Sequence, residues 1–216
     1  FNVAEQRGFV PDGHPNPTRR IKRYPEQSRE RYLDEEEVER LWTASAGEDR
    51  YFQAWIALGF LTGMRKMETL ELKWADVDLV NREVHLPKTK SARPLTLPLS
   101  EEAISIFEGI PRQGVPWVFP GPNPSTHRMD FKKQWKRVRE KAALRDIKYH
   151  DLRRTTGSWL AQAGVPLEVI QKILNHSSAE VTRIYARLAD KQPKDALDTL
   201  GKEMGKVLKF PIKGAS

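Results

Sequence analysis

Apolar side chains recur at intervals of three and four along most of this chain, and the pattern turns to strand-like alternation in one short region. Val38, Leu41 and Trp42 give one face of a first helix. Asp34 followed by Glu35, Glu36 and Glu37 suits its start, because carboxylates satisfy free backbone amides and complement the positive helix end. A second helix, over 51–61, is apolar nearly all round and is expected to be buried. It leads into TGMRKMETLELKW, where Arg65 and Glu68 stand three apart and share a face if that segment is helical. Beyond Asp78 the period becomes two. Glu83-Val84-His85-Leu86 and Pro94-Leu95-Thr96-Leu97-Pro98 predict a hairpin whose tip carries Lys88, Lys90 and Arg93. Helices follow over 100–110, capped by Ser100, and over 129–144, where Lys132, Lys133, Lys136 and Arg137 put charge on one side. The whole reads as mainly α with a small antiparallel β-sheet.

The longest amphipathic run lies within YHDLRRTTGSWLAQAGVPLEVIQKILNHSSAEVTRIYARL, which begins at Tyr149. Trp159, Leu160, Val165, Leu167, Ile170, Ile173 and Leu174 supply its apolar face. A polar corner at Asn175-His176-Ser177-Ser178 interrupts it, and Thr182-Arg183-Ile184-Tyr185 is expected on a further helix. A last helix over 193–208 has an apolar stripe of Ala196, Leu197, Leu200, Met204, Val207 and Leu208, fit to pack on its own domain or on a neighbour.

Composition narrows the function. Among 216 residues, 37 are lysine or arginine and 29 acidic, a net charge of +8 that favours a polyanionic partner. Nucleic acid comes before membrane, because no long apolar run exists. Zero cysteines exclude a disulfide framework and thiolate chemistry, and fit a cytoplasmic protein. The sequence has no signal peptide, no Gly-rich phosphate loop and no Cys/His cluster with zinc spacing. The first ten residues read as the end of a helix, and the proline- and arginine-rich stretch after them, with Arg19, Arg20, Lys22 and Arg23, reads as an exposed linker.

Candidate chemistry concentrates in the later stretch. His150 and Arg153 are three apart, so a helix presents both on one face, and His176 and Tyr185 follow. A cation for anionic oxygens, imidazoles for protons and a phenol able to attack suit a phosphodiester. Each has an ordinary structural role as well. A lone histidine is commonly a structural hydrogen-bonder, a tyrosine beside Ile184 is commonly core, Ser177 and Ser178 suit helix N-caps, and Asn175 suits a left-handed helix end. Arg65 with Glu68 fits an ordinary helical ion pair, and the basic runs fit solvated faces. Order and spacing carry the argument, not any single position.

That order resembles the tyrosine recombinase, or phage integrase, family. The resemblance rests on the His-x-x-Arg box at His150 and Arg153, on His176 after a Leu-Asn corner, and on Tyr185 nine residues later. TGMRKMETLELKWADVDL is similar to the family's first arginine box. Asn175 departs from the commoner glycine, a change the same backbone tolerates. The resemblance implies an integrase-type catalytic domain that cuts and rejoins DNA strands through a 3′-phosphotyrosyl intermediate, without metal, ATP or other cofactor. Implied catalytic residues are Arg65, Lys90, His150, Arg153, His176 and Tyr185, with Glu68 in support. The family's catalytic lysine stands eight residues before the proline closing the hairpin, which selects Lys90 over Lys88. Implied DNA contacts are Arg19, Arg20, Lys22, Arg23, Lys88, Arg93, Lys132, Lys133 and Lys136. The organisation expected is 1–32, the end of an N-terminal core-binding domain and a basic linker; 33–190, the catalytic domain; and 191–216, a C-terminal helix and tail that docks on a neighbouring protomer. Partners implied are double-stranded DNA, further protomers in a tetramer on paired sites, and accessory DNA-bending proteins, with no membrane; the site of action is cytoplasmic, at the nucleoid. Three other readings use parts of the same residues: relaxation of DNA in the manner of a type IB topoisomerase, a non-catalytic DNA-binding module, and a metal phosphohydrolase built on His150 and Asp151.

Overall fold

The computed structural model describes residues 2–11, 13–15, 31–87, 94–176 and 182–186. A short helix, α1 (Asn2–Gln6), stands first. The main body begins with α2 (Glu35–Ser45), whose Asp34 and Glu37 form a reciprocal capping box. Arg31 clamps that start from outside, with its guanidinium on both oxygens of Glu37 at 2.6 and 2.8 Å and on Asp146 at 3.1 Å. Helix α3 (Arg50–Thr62) runs through the middle, and its apolar circumference is buried at Phe52, Ala54, Trp55, Ile56, Ala57 and Leu58. Its end is a turn at Gly63, in the left-handed region at φ 62°. A side chain there would also meet Leu174 Cδ2 at 2.5 Å, so both conformation and space require glycine.

After α4 (Lys66–Leu70) and a 3₁₀ turn at Trp74–Asp76 comes a three-stranded antiparallel sheet in the order β1 (Val77–Asp78), β2 (Glu83–Leu86), β3 (Leu95–Pro98). The predicted hairpin forms with Glu83 opposite Pro98 and Leu86 opposite Leu95. Val84, Leu86 and Leu97 turn inward, whereas His85 stays exposed and meets Thr96 across the strands at 3.1 Å. Strand β1 has only two residues, too few for a period to show. The hairpin tip with Lys88, Lys90 and Arg93 lies outside the described residues, as do the linker basics Arg19, Arg20, Lys22 and Arg23, the corner serines Ser177 and Ser178, and the stripe over 193–208.

Helix α5 (Glu101–Glu108) is capped by Ser100 as expected. Helix α6 (Lys132–Lys141) is shorter than the 129–144 expected. Asp130 takes up the amide of Lys132, Phe131 has a non-helical backbone, and Ala143 turns left-handed at φ 58°, so both ends stop early. The long amphipathic run is two helices, α7 (Tyr149–Gln162) and α8 (Leu167–Ile173), because Gly164 at φ 86° and Pro166 break it. Among the described residues the segment at Tyr185 is helical as expected, a 3₁₀ turn at Arg183–Tyr185 with α-helical Thr182 and Ala186 on either side.

An aromatic cluster joins these elements. Tyr149 of α7 stacks on Trp55 of α3 at 4.1 Å, and Phe52, Phe131 and Trp135 close around them. Each such ring contributes roughly 2–3 kcal/mol on burial. Leu33 is fully buried and bonded at both ends of its peptide to α7, its amide donating to Thr155 Oγ1 (2.9 Å) and its carbonyl accepting from Trp159 Nε1 (3.0 Å). The N-terminal half of α7 is thus held between α3 and the chain leading into α2. On the outer side of α3, Trp42, Leu61 and Trp159 stay partly exposed along an apolar groove of ≈ 680 Å³.

Candidate active site

Five of the sequence-derived residues meet where the end of α3, the start of α7 and the corner after α8 come together. Arg65 is not a helical residue sharing a face with Glu68, as expected, but the N-cap of α4. The correction has a simple cause: Gly63 turns the chain sharply, so the helix cannot begin until Lys66, and Glu68 reaches back across that start. Glu68 accepts from the Arg65 amide at 2.8 Å through one oxygen and from its guanidinium at 2.7 Å through the other. The remaining arm of Arg65 donates to the carbonyl of Asn175 at 3.1 Å.

Arg153, one turn into α7, is 3% exposed. Its guanidinium donates to the carbonyl of Gly63 at 2.7 Å and to that of Leu174, while its Nε has no hydrogen-bond partner. The two arginines therefore bridge the first arginine box to the corner at 174–175. Asn175 takes the left-handed backbone predicted for it, at φ 45°, which turns its carbonyl and that of Leu174 toward the cations. Hydrogen bonds to a charged group contribute ~1.5–3 kcal/mol each, whereas removing an ion from water costs several kcal/mol. Arg153 reflects the imbalance, since burial, and then the charge of Arg65, pull its pKa down to about 10. An anion bound against this pair would offset the repulsion between the two cations.

His150 and His176 flank the arginines. His150 is the more exposed, yet the protein around its ring, followed by Arg153 and Arg154, lowers its pKa. His176 is half-buried and lowered further, to about 4, by burial and then by Arg153, Arg65 and His150. Both imidazoles are neutral at pH 7. Nδ1 of His176 lies 3.0 Å from Thr182 Oγ1, which leaves Nε2 as the nitrogen free to face a ligand.

Tyr185 is 3% exposed, in a cluster with Ala161, Ile170 and Leu174. Its ring is nearly parallel to that of His176, with centroids 6.3 Å apart. Burial raises the pKa of its phenol, and the charges of Arg153 and Arg154 oppose that rise. With a phenol above its ordinary range and His176 near 4, proton transfer between them is uphill in the free protein.

Neighbouring residues are accounted for by structure. Tyr149 is 7% exposed with its hydroxyl on Thr69 and the carbonyl of Trp55, and burial raises its pKa strongly, so its phenol is engaged in the core between α3 and α7. Asp151, paired with His150 in the metal reading, is 1% exposed; its carboxylate caps α7 through the Lys148 amide at 2.8 Å and accepts from Arg154 at 3.3 Å. Among the described residues no group of three or more His, Cys, Asp or Glu could hold a metal ion. Arg137 does not join the exposed Lys132, Lys133 and Lys136, because Glu48 binds it in a fork at 2.6 and 2.7 Å. Sequence reasoning missed Thr182, Gly63 and the carbonyls of Leu174 and Asn175. Only Gly63, in a Thr-Gly-Met step ending an apolar helix, left a signal, as a helix stop.

Known proteins share sequence and fold with this chain. The integrase of Salmonella phage P22 is 28% identical over 179 residues, covering 76% of this chain and 46% of the phage protein. The chain thus spans less than half the length of that relative. Among solved structures, the catalytic domain of bacteriophage HP1 integrase superposes with a TM-score of 0.63 at 23% identity, over 77% of this chain and 93% of that domain. XerH site-specific recombinase bound to its difH substrate superposes with a TM-score of 0.60 at 25% identity, over 72% of this chain and 49% of that one. Together with the fold, the match of residues 31–192 to the phage integrase family places the chain in that family, whose members include the tyrosine recombinases.

Proposed function

We propose that this protein cuts and rejoins DNA as a site-specific recombinase, with Tyr185 as the nucleophile, in the integration or excision of a mobile element. The observation that carries the reading is Tyr185 within the field of Arg153, beside His176, in a site with a crowded and partly unpartnered guanidinium. The Tyr185 oxygen attacks phosphorus as its phenol proton passes to an imidazole of His150 or His176, the bond from phosphorus to the 5′-oxygen breaks, and a 3′-phosphotyrosyl link and a free 5′-hydroxyl result. The link preserves the bond energy, so a 5′-hydroxyl of another strand reverses the step without ATP. Arg65 and Arg153 take the two non-bridging oxygens, where charge grows in the transition state. Glu68 orients Arg65. His150 and His176 donate or accept hydrogen bonds at the same phosphate, and a bound phosphate raises their pKa values toward a useful range. Lys90 supplies the proton to the leaving 5′-oxygen.

Double-stranded DNA is the substrate and the principal partner, held by the exposed lysines of α6, by Lys88 and Arg93, and by the linker basics Arg19, Arg20, Lys22 and Arg23. The XerH recombinase that this chain resembles in fold was solved bound to difH, which supports DNA as the partner. Residues 33–190 are the catalytic domain, 1–32 lead from a core-binding domain, and 191–216 dock on a neighbouring protomer within a tetramer on paired sites. Accessory DNA-bending proteins assist assembly, in the cytoplasm at the nucleoid. No helix of the described residues is long and apolar enough to cross a membrane.

The test is a nicked duplex on which cleavage is trapped, followed by a denaturing gel. The unaltered chain should form a covalent adduct. Tyr185→Phe should keep its melting temperature and DNA affinity and form none; an adduct from that variant would place the nucleophile elsewhere.

A further inference from the structure

Gly157 occupies the interior of the fourteen-residue helix α7, where glycine is a poor choice. Its backbone is helical, without the positive φ seen at Gly63 and Gly164, so conformation does not call for glycine here. Space does. A Cβ built on Gly157 would fall 2.8 Å from both Cε2 and Oη of Tyr185, and closer still to Cζ. Real Cβ atoms do not approach other atoms so closely, and the obstacle is a ring rather than the tip of a flexible chain. The ring has little room to retreat, since Ala161, Ile170 and Leu174 pack around it. The contact reaches the hydroxyl itself, so the absent side chain locates the reactive oxygen as well as the ring. It lies four residues after Arg153 and three after Arg154, the two cations whose charge acts on the phenol.

We infer that Gly157 is a positioning residue: its missing side chain forms the seat in which Tyr185 is held against α7, within the same chain as Arg153. The inference rests on the reading of Tyr185 as the nucleophile. It adds that the distance between nucleophile and arginine is set by the absence of a single methyl group on α7. The seat also explains a helix-weakening residue in an element that otherwise organises the site.

The experiment compares the unaltered chain, Gly157→Ala and Tyr185→Phe on the nicked duplex. It also follows the ionisation of Tyr185 by nuclear magnetic resonance with carbon-13 at Cζ. A glycine with only a structural role predicts a better helix in Gly157→Ala, unchanged adduct formation and an unchanged phenol titration. The seat predicts that adduct formation falls at least tenfold while non-covalent DNA affinity stays within about twofold. It further predicts that the phenol, displaced from its buried site, titrates nearer the ordinary tyrosine value of about 10. Unchanged rate and titration in Gly157→Ala would overturn the inference. Should Gly157→Ala not fold, the Overhauser contact between the Gly157 Hα protons and the Tyr185 ring in the unaltered chain decides: its presence supports the seat and its absence overturns it. An adduct from Tyr185→Phe would sink the nucleophile assignment alone, leaving the ring contact to be judged on its own signal.

Discussion

His176 shows how one residue ties stability to the chemistry of the site. Burial, and then the charges of Arg153, Arg65 and His150, hold its pKa near 4, against an ordinary value of 6.5. As pH falls, the unfolded chain takes up the proton before the folded one does, so folding stability decreases through the window from about 6.5 to about 4 and is untouched above pH 7. His150 shifts in the same direction and adds to the slope. In His176→Gln the fall in melting temperature between pH 7 and pH 4.5 should be clearly smaller than in the unaltered chain. Equal slopes in the two proteins would mean that the crowding of cations around His176 is not felt in solution. Arg153 makes a related point in reverse: two of its donors are used on backbone carbonyls, so the charge is fixed in place before any ligand arrives.

At the scale of elements, α6 separates charge that is available from charge that is engaged. Lys132 and Lys136 lie one turn apart on an exposed surface, whereas Arg137 is held by Glu48. If α6 faces phosphates, Lys132→Gln and Lys136→Gln should each weaken DNA binding across sequences and lower the slope of log affinity against log salt by about 1. Arg137→Gln should leave DNA affinity nearly unchanged and lower the melting temperature only slightly, since an exposed ion pair adds little stability. Binding titrations over a range of salt concentrations read both. A larger loss from Arg137→Gln than from either lysine would turn the DNA face of this helix away from the side assigned.

For the whole molecule, the arginines do more than await a substrate. Arg65 and Arg153 join the end of α3, the start of α4 and the corner after α8 through carbonyl groups, so site and fold share the same bonds. What lies past that site bears on assembly. The sequence over 193–208 carries apolar residues at helical spacing, and the proposed function has this segment dock on a neighbouring protomer. Ending the chain after Lys191 should therefore lower the fraction that assembles on paired sites, seen by gel filtration with DNA, while changing the melting temperature of the isolated chain little. A large loss of thermal stability with assembly intact would place the stripe on its own domain instead.

Helix periods, caps and turn residues were legible without coordinates because they are local. The capping box at Asp34, the Ser100 cap, the hairpin of β2 and β3 and the left-handed Asn175 each depend on a few neighbouring side chains. The order of Arg65, His150, Arg153, His176 and Tyr185 was legible too, since spacing along a chain is a property of sequence. Other features depend on atoms far apart in the chain, and only folding brought those together. Arg65 became a cap because the chain turns at Gly63, where only glycine fits against Leu174, 111 positions later. The pKa of His176 follows from burial by the fold and then from charges on other elements. The charge of Arg137 is paired with Glu48, 89 residues distant. Gly157 is occupied by a ring that the sequence places 28 residues further on. Local pattern set the elements and the order of the reactive groups; packing decided which charges are paired, which are stripped of water, and how closely the phenol approaches the arginine.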